Sequence, residues 1–224
     1  MSRAASTVLT MIVAALLIRI SLTGEHARYV RAGMGPWLLA AGVVLALTTA
    51  LVVVGERTTD HQSHVHSGPR VGWLLLALVL VLFVVAPGAL GSYSLDRTTR
   101  VDIGRGAPSF APMDPQTEPV AISLLEFSQR AFDGGAESFR NNTLQLTGFI
   151  APAKGGGFTL ARYRISCCAA DAQATIVRVV GVDKPAKNDA WVTVDGTFDG
   201  TSGATAVLLA ERVRVVTTPD EPYE

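Results

Sequence analysis

Three long apolar stretches near the start of the chain constrain its fold more than any other feature. A helix needs about 20 apolar residues to cross the hydrocarbon core of a bilayer. Residues 34–54 and 71–91 carry no charge, and residues 4–24 carry one charge, Arg19, near their end. A long arginine side chain there can extend to the membrane interface. We therefore predict three transmembrane helices within residues 1–95, and with them a multi-pass membrane protein.

The charges that flank these helices do not orient them. Cytoplasmic loops carry an excess of lysine and arginine. Three arginines and the α-amine would lie on one side of the membrane, and four arginines on the other. Charge alone therefore leaves the orientation open.

The loop between the second and third predicted helices, ERTTDHQSHVHSGPR, is rich in histidine. Asp60, His61, His64 and His66 lie close together in it, and histidine is a common ligand of zinc. A polar loop that simply tolerates histidine is the alternative, because a flexible loop loses entropy when it closes on a metal. Zinc binding at His61, His64 and His66 is therefore one hypothesis for function, with zinc the expected cofactor.

A proline-rich linker, residues 96–120, follows the membrane region. Its prolines recur with glycines and without an apolar period. The next segment, ISLLEFSQRAFDGG, has apolar residues at helical spacing. Ser123 and Glu126 form a capping box at its start, and two glycines mark its end. This pattern predicts one short amphipathic helix.

After this helix the apolar period changes to two, which predicts β-strands. In NTLQLTGFI, one face carries Leu144, Leu146, Gly148 and Ile150. Four further strands are predicted, at about 157–167, 173–182, 190–199 and 205–216.

Five short strands without a long helix between them favour a small closed barrel. We predict an OB-like, mainly-β domain over residues 121–217, with a tail at 218–224. Gly148 and Gly196 would permit the sharp strand bends that closure needs. A small antiparallel sandwich is the alternative.

The charge of this domain disfavours nucleic acid as a partner. Residues 120–224 contain ten basic and twelve acidic side chains. A groove that follows a phosphate backbone would need a basic surface instead. We therefore expect no nucleic-acid binding.

Both cysteines of the chain lie side by side in RYRISCCAADAQA. The apolar face of the strand changes near residues 161–162, which predicts a β-bulge there. If the strand continues, Cys167 lies on the apolar face as a small buried side chain. Cys168 then lies on the opposite face with Arg162 and Arg164, where two guanidinium groups could stabilise a thiolate.

These residues leave three interpretations of the cysteine pair open. It can be structural, it can bind a metal with Asp171, or it can carry out thiol redox chemistry. Zinc needs about four ligands, and the domain contains no histidine, so a site at Cys167 and Cys168 would have to be completed by a partner or a second copy. The domain lacks the histidine–nucleophile pairs and phosphate-binding glycine loops of common enzyme classes, so we expect no enzymatic activity.

The run RYRISCCAADA, from Arg162 to Ala172, resembles the hallmark of the YcgQ-type family of two-component membrane permease subunits. YVRAGMGPWLLAAG at 29–42, the histidine loop and the SLLEF helix also match. The resemblance implies a non-catalytic accessory subunit in a bacterial plasma membrane, working beside a separate multi-span permease. It further implies that the N-terminus and the histidine loop are cytoplasmic and that the β-domain lies outside. Arg162, Cys167, Cys168 and Asp171 carry the motif.

Overall fold

The structure is a computed structural model, and it describes residues 3–58, 89–101, 103, 109–153 and 157–224. The chain divides into two compact units, Met1–Ala89 and Leu90–Glu224. The loop with Asp60, His61, His64 and His66 lies outside the described residues, and so does nearly all of the third predicted span.

The described residues of the first unit form two α-helices, α1 (Arg3–Leu22) and α2 (Gly35–Thr58). They pack closely where Gly42 of α2 meets α1. A Cβ atom on Gly42 would lie 2.9 Å from Cγ1 of Ile18 and 3.2 Å from the carbonyl oxygen of Ala14. A small residue at the contact lets two apolar helices approach each other, as at helix interfaces in membranes.

One helix of the described residues, Ala32–Gly55, is long and apolar enough to cross a membrane. Its large side chains, such as Val44, Leu47 and Leu51, are mostly exposed. The apolar part of α1, Ser6–Leu22, is shorter. The described residues therefore support one membrane-spanning helix near the N-terminus and do not support the predicted multi-pass arrangement.

In the second unit, the residues that the structure describes form seven strands and two α-helices. In chain order these are β1 (Thr99–Arg100), β2 (Val120–Ala121), α3 (Leu124–Asp133), α4 (Ala136–Phe139), β3 (Leu144–Ala151), β4 (Phe158–Arg164), β5 (Gln173–Val180), β6 (Trp191–Ser202) and β7 (Thr205–Val216).

Strands β3 to β7 form a closed barrel in the order β5-β4-β3-β6-β7, and a parallel pairing of β5 with β7 completes the ring. The two short strands β1 and β2 add to β5 and β3. The prediction of a five-stranded barrel preceded by a helix is confirmed. All five barrel strands start within two residues of their predicted positions.

Glycines permit the close approach of strands in this barrel. A Cβ atom on Gly196 would overlap the carbonyl oxygen of Leu209, and one on Gly148 would lie 2.7 Å from the carbonyl oxygen of Ala161. The register of β6 against β7 shifts next to Gly196. The predicted role of both glycines in closure agrees with these contacts.

The barrel interior is filled by side chains from all five strands and from α3. Those with no exposed surface are Leu124, Phe127, Leu144, Leu146, Ile150, Phe158, Leu160, Val177, Val179, Val192, Val194, Ala206 and Leu208. The helix begins as predicted, because the Ser123 hydroxyl accepts a hydrogen bond from the Glu126 N–H at 3.0 Å. The Glu126 carboxylate accepts from Arg130 at 2.9 Å.

Strand β4 has no bulge, so that prediction was wrong. It pairs with β5 in one unbroken register from Phe158 to Arg164. The apolar face changes because both faces are covered. Phe158 and Leu160 point into the barrel, whereas Ala161 and Tyr163 belong to a second apolar cluster on the outside.

This outer cluster consists of Phe149, Ala151, Ala161, Tyr163, Ala174 and Trp191. Leu90, at the end of the third predicted span, and Leu95, just after it, pack against this cluster, as does Tyr223 from the end of the chain. Two segments outside the barrel thus cover an apolar patch that an isolated barrel would expose.

Candidate functional site

The two cysteines lie in the turn between β4 and β5. Strand β4 ends at Arg164, three residues before Cys167, and a short 3₁₀ turn, Ala169–Asp171, leads to β5. The alternation of a strand therefore does not reach the cysteines. Their side chains are placed by the turn instead.

Asp171 shapes this turn. Its Oδ1 accepts a hydrogen bond from the N–H of Ser166 at 2.9 Å, and its Oδ2 accepts one from the N–H of Cys167 at 2.8 Å. Hydrogen bonds from the Cys167 side chain and from these two backbone groups lower the pKa of Asp171. An aspartate that binds nearby backbone groups is common in turns.

The thiols of Cys167 and Cys168 face each other. Their Sγ atoms lie 3.6 Å apart, within hydrogen-bond distance for sulfur. Cys167 is exposed, Cys168 is half-buried, and both are free. The predictions that Cys167 is buried and that the two thiols point to opposite sides were both wrong, because the strand ends before it reaches them.

The Cys167 thiol holds its proton firmly. The hydrogen bond to Asp171, followed by the one to Cys168, raises the pKa of Cys167 to about 11. A thiolate is the nucleophile in thiol chemistry, and at neutral pH this thiol is protonated. The thiol redox interpretation is weakened at this residue.

Arg162 contacts the end of the chain. Its Nη2 donates to the carbonyl oxygen of Glu221 at 3.0 Å, and its Nε lies 3.8 Å from Oε1 of Glu224. The turn therefore brings together Cys167, Cys168 and Asp171, while the guanidinium group of Arg162 is engaged elsewhere.

The last residue, Glu224, is held by the barrel. Its N–H donates to the carbonyl oxygen of Tyr163 at 2.8 Å, beyond the point where β4 stops pairing with β3. Its Oε1 accepts from the N–H of Leu124 at 3.0 Å, at the start of α3. Burial raises the pKa of the Glu224 side chain, against the lowering effect of the Leu124 N–H and Arg162.

No three His, Cys, Asp or Glu side chains in the described part of the chain are placed to hold a metal ion together. His26, the one histidine there, has its ring nitrogens 3.2 Å from the carbonyl oxygens of Ile20 and Ala32. It therefore connects α1 to the turn before α2. The predicted histidine ligands lie outside the described residues.

Sequence reasoning missed the contacts that dock residues 90–95 on the barrel. The Tyr163 hydroxyl donates to the carbonyl oxygen of Gly91 at 2.9 Å, and the N–H of Leu90 donates to the Tyr223 hydroxyl at 3.1 Å. The N–H of Ser92 donates to Oδ1 of Asp189. The change of apolar face in β4 was the signal of this covered surface.

The fold and the turn together define a class of protein: a closed five-stranded barrel domain that follows a helix able to cross a membrane. Within it, residues 131–224 match the family model described as the DUF1980 C-terminal domain. This match covers α4, all five barrel strands, the cysteine turn and the docked chain end. Neither the curated proteins nor the solved structures include a match to the chain.

Proposed function

We propose that this chain is the non-catalytic accessory subunit of a two-component membrane permease. The observation that carries the proposal is the pairing of a membrane-capable helix with a separate, filled barrel. The N-terminal helices would anchor the chain beside a multi-span permease in a bacterial plasma membrane, and the OB-like barrel would be its extracytoplasmic domain. Residues 71–91 would complete a three-span anchor.

The filled interior of the barrel supports an accessory role over one in which the barrel encloses a substrate. Large barrels enclose ligand cavities, whereas side chains fill small ones. Here fully buried apolar side chains from every strand occupy the interior. The protonated thiol of Cys167 also makes a poor nucleophile.

The surface of α2 supports a partner within the membrane. Val44, Leu47 and Leu51 are each more than half exposed, so lipid or another helix must cover them. One or a few helices cannot enclose a path for a polar solute. A separate multi-span subunit would therefore have to supply that path.

Co-purification of the full chain from native membranes in a mild detergent tests the proposal. We expect a multi-span protein in constant ratio to the chain, identified by mass spectrometry. A single-span protein with the same tag, expressed at the same level, is the control for non-specific capture. Recovery of a monodisperse monomer without a multi-span partner would refute the proposal.

The exposed thiol of Cys167 gives a separate test of orientation. A maleimide that cannot cross membranes should label the Cys167–Cys168 pair in intact cells if the barrel is extracytoplasmic, in an alkaline buffer because the Cys167 thiol is protonated at neutral pH. The Cys167→Ser/Cys168→Ser variant, which has no other cysteine, is the matched control. Labelling only after the cells are opened would place the barrel in the cytoplasm.

A further inference from the structure

The adjacent thiols have no part in the proposed function, yet their geometry is specific. Their sulfur atoms lie 3.6 Å apart on the surface of the domain. Asp171 fixes the turn through two backbone hydrogen bonds. Two soft ligands are thus held at a defined distance in a place that another molecule can reach.

The distance between the sulfur atoms matches the bite of a tetrahedral metal ion. Two thiolates on one zinc ion, each at about 2.3 Å and at the tetrahedral angle, lie about 3.8 Å apart. Thiolates on opposite sides of a linear ion with bonds of this length would lie about 4.6 Å apart. A disulfide would need the sulfur atoms at about 2.05 Å in a strained eight-membered ring.

The chain offers only half of such a site within its described residues. Structural zinc is almost always bound by four ligands, and no third His, Cys, Asp or Glu there joins the two thiols as a ligand. The nearby carboxylate of Asp171 already accepts hydrogen bonds from the backbone N–H groups of Ser166 and Cys167 and from the Cys167 thiol. The described residues of one chain therefore leave two of the four ligand positions open.

We propose that Cys167 and Cys168 form half of a zinc site, which a second copy of this chain completes to a four-cysteine centre. Two copies anchored in one membrane point the same way, so a twofold axis between them runs perpendicular to the membrane, and a loop that lies on this axis meets its own copy. The two pairs then supply four thiolates to one ion. Four thiols lose their protons on binding, so four protons are released per zinc ion.

This inference goes beyond the proposed function, because it requires a second copy and no permease partner. The two proposals can therefore be refuted separately. Co-purification tests the permease proposal, and the ratio of bound zinc to chain tests the zinc site.

The test uses the full chain in mild detergent, with a reductant and after removal of metal. His61→Ala/His64→Ala/His66→Ala is the background, so that the histidine loop contributes no zinc, and the purification tag contains no histidine. Zn²⁺ is titrated in, and bound metal and particle mass are measured after removal of free ion. We expect one zinc per two chains and a mass that doubles with zinc.

Variants identify the ligands. Cys167→Ser and Cys168→Ser should each weaken zinc binding by at least about 100-fold, because each removes two of four ligands from the shared site. Ser166→Ala, a change of an exposed neighbour, should leave the affinity unchanged. Co²⁺ should give the absorption spectrum of a tetrahedral four-thiolate centre in the parent chain and lose it in both cysteine variants.

Unfolding curves separate loss of the site from loss of the fold. The cysteine variants should unfold at nearly the same temperature as the zinc-free parent, since Cys167 is exposed, Cys168 is half-buried and neither belongs to the core. One zinc per chain without a change of mass would overturn the shared site. Zinc binding that survives both cysteine substitutions, or no binding at micromolar Zn²⁺, would overturn the assignment of these thiols as ligands.

Discussion

Removing the hydroxyl of Tyr163 should loosen residues 90–95 from the barrel and leave the barrel itself closed. Tyr163 is 1% exposed, and its hydroxyl donates to the carbonyl oxygen of Gly91 at 2.9 Å. In Tyr163→Phe the ring remains and still stacks on Phe149, at 5.6 Å between ring centroids. The substitution therefore removes the hydrogen bond with little change in packing.

The expected cost follows from the environment of Gly91. A hydrogen bond contributes about 1 kcal/mol, and a buried acceptor left without a donor costs up to about 3 kcal/mol. Gly91 is half-buried, so water can replace part of the lost bond, and we expect about 1.4 kcal/mol. Amide hydrogens in residues 90–97 should then exchange about tenfold faster, and the melting temperature should fall by about 4 °C.

Hydrogen–deuterium exchange with mass spectrometry measures this opening peptide by peptide. Tyr93→Phe is the matched control, because that side chain is 78% exposed and keeps its ring beneath the guanidinium group of Arg97. It should leave exchange unchanged. Equal exchange in Tyr163→Phe and the parent, or equal acceleration in both variants, would show that the hydroxyl does not hold this segment.

Tyr163 also predicts that the stability of the fold depends on pH in the alkaline range. Burial raises the pKa of Tyr163 above its ordinary value, so the folded chain keeps this proton at a pH where the unfolded chain loses it. Stability is therefore lost as pH rises above about 10. This loss should be smaller in Tyr163→Phe than in Tyr93→Phe, and equal slopes would contradict the assignment.

Three further substitutions test other parts of the second unit. Asp171→Asn removes the carboxylate that raises the pKa of Cys167 to about 11, so alkylation of Cys167 should begin at lower pH; an unchanged pH profile would exclude this cause. Gly196→Ala places a methyl group against the carbonyl oxygen of Leu209. It should destabilise the barrel by about 2 kcal/mol or more, as measured by denaturant unfolding. Unchanged stability would mean that β7 can shift to make room for the methyl group. Ser123→Ala removes a helix cap and should cost about 1 kcal/mol, while Ser123→Asp should retain most of the stability.

The barrel was predictable because its signals are local. A capping serine, an alternating apolar pattern and turn residues each act within a few positions, and together they placed α3 and the five strands. Gly148 and Gly196 could also be recognised, since an isolated glycine in a strand marks a close backbone approach. The order of the strands around the barrel was not needed for any of these steps.

The prediction of a bulge in β4 was wrong, and the reason lies outside the local sequence pattern. When only one face of a strand is covered, its apolar residues occupy every second position. Ala161 and Tyr163 occupy the positions in between. The sequence could not reveal that Leu90 and Leu95, some 70 positions earlier, cover the second face. The change of apolar face was a correct observation, but it was explained by a local bulge and not by a second covered face.

The cysteine pair shows the same limit at the scale of a site. Its residue types were found, but their geometry depends on where β4 stops, and element ends are the least certain part of a sequence-based assignment. A strand extended by four more residues, through Cys168, would have separated the thiols onto opposite faces. Because Asp171 draws the backbone of Ser166 and Cys167 into a turn instead, both thiols face one side, and a motif that looked like one buried and one exposed cysteine becomes a pair of ligands.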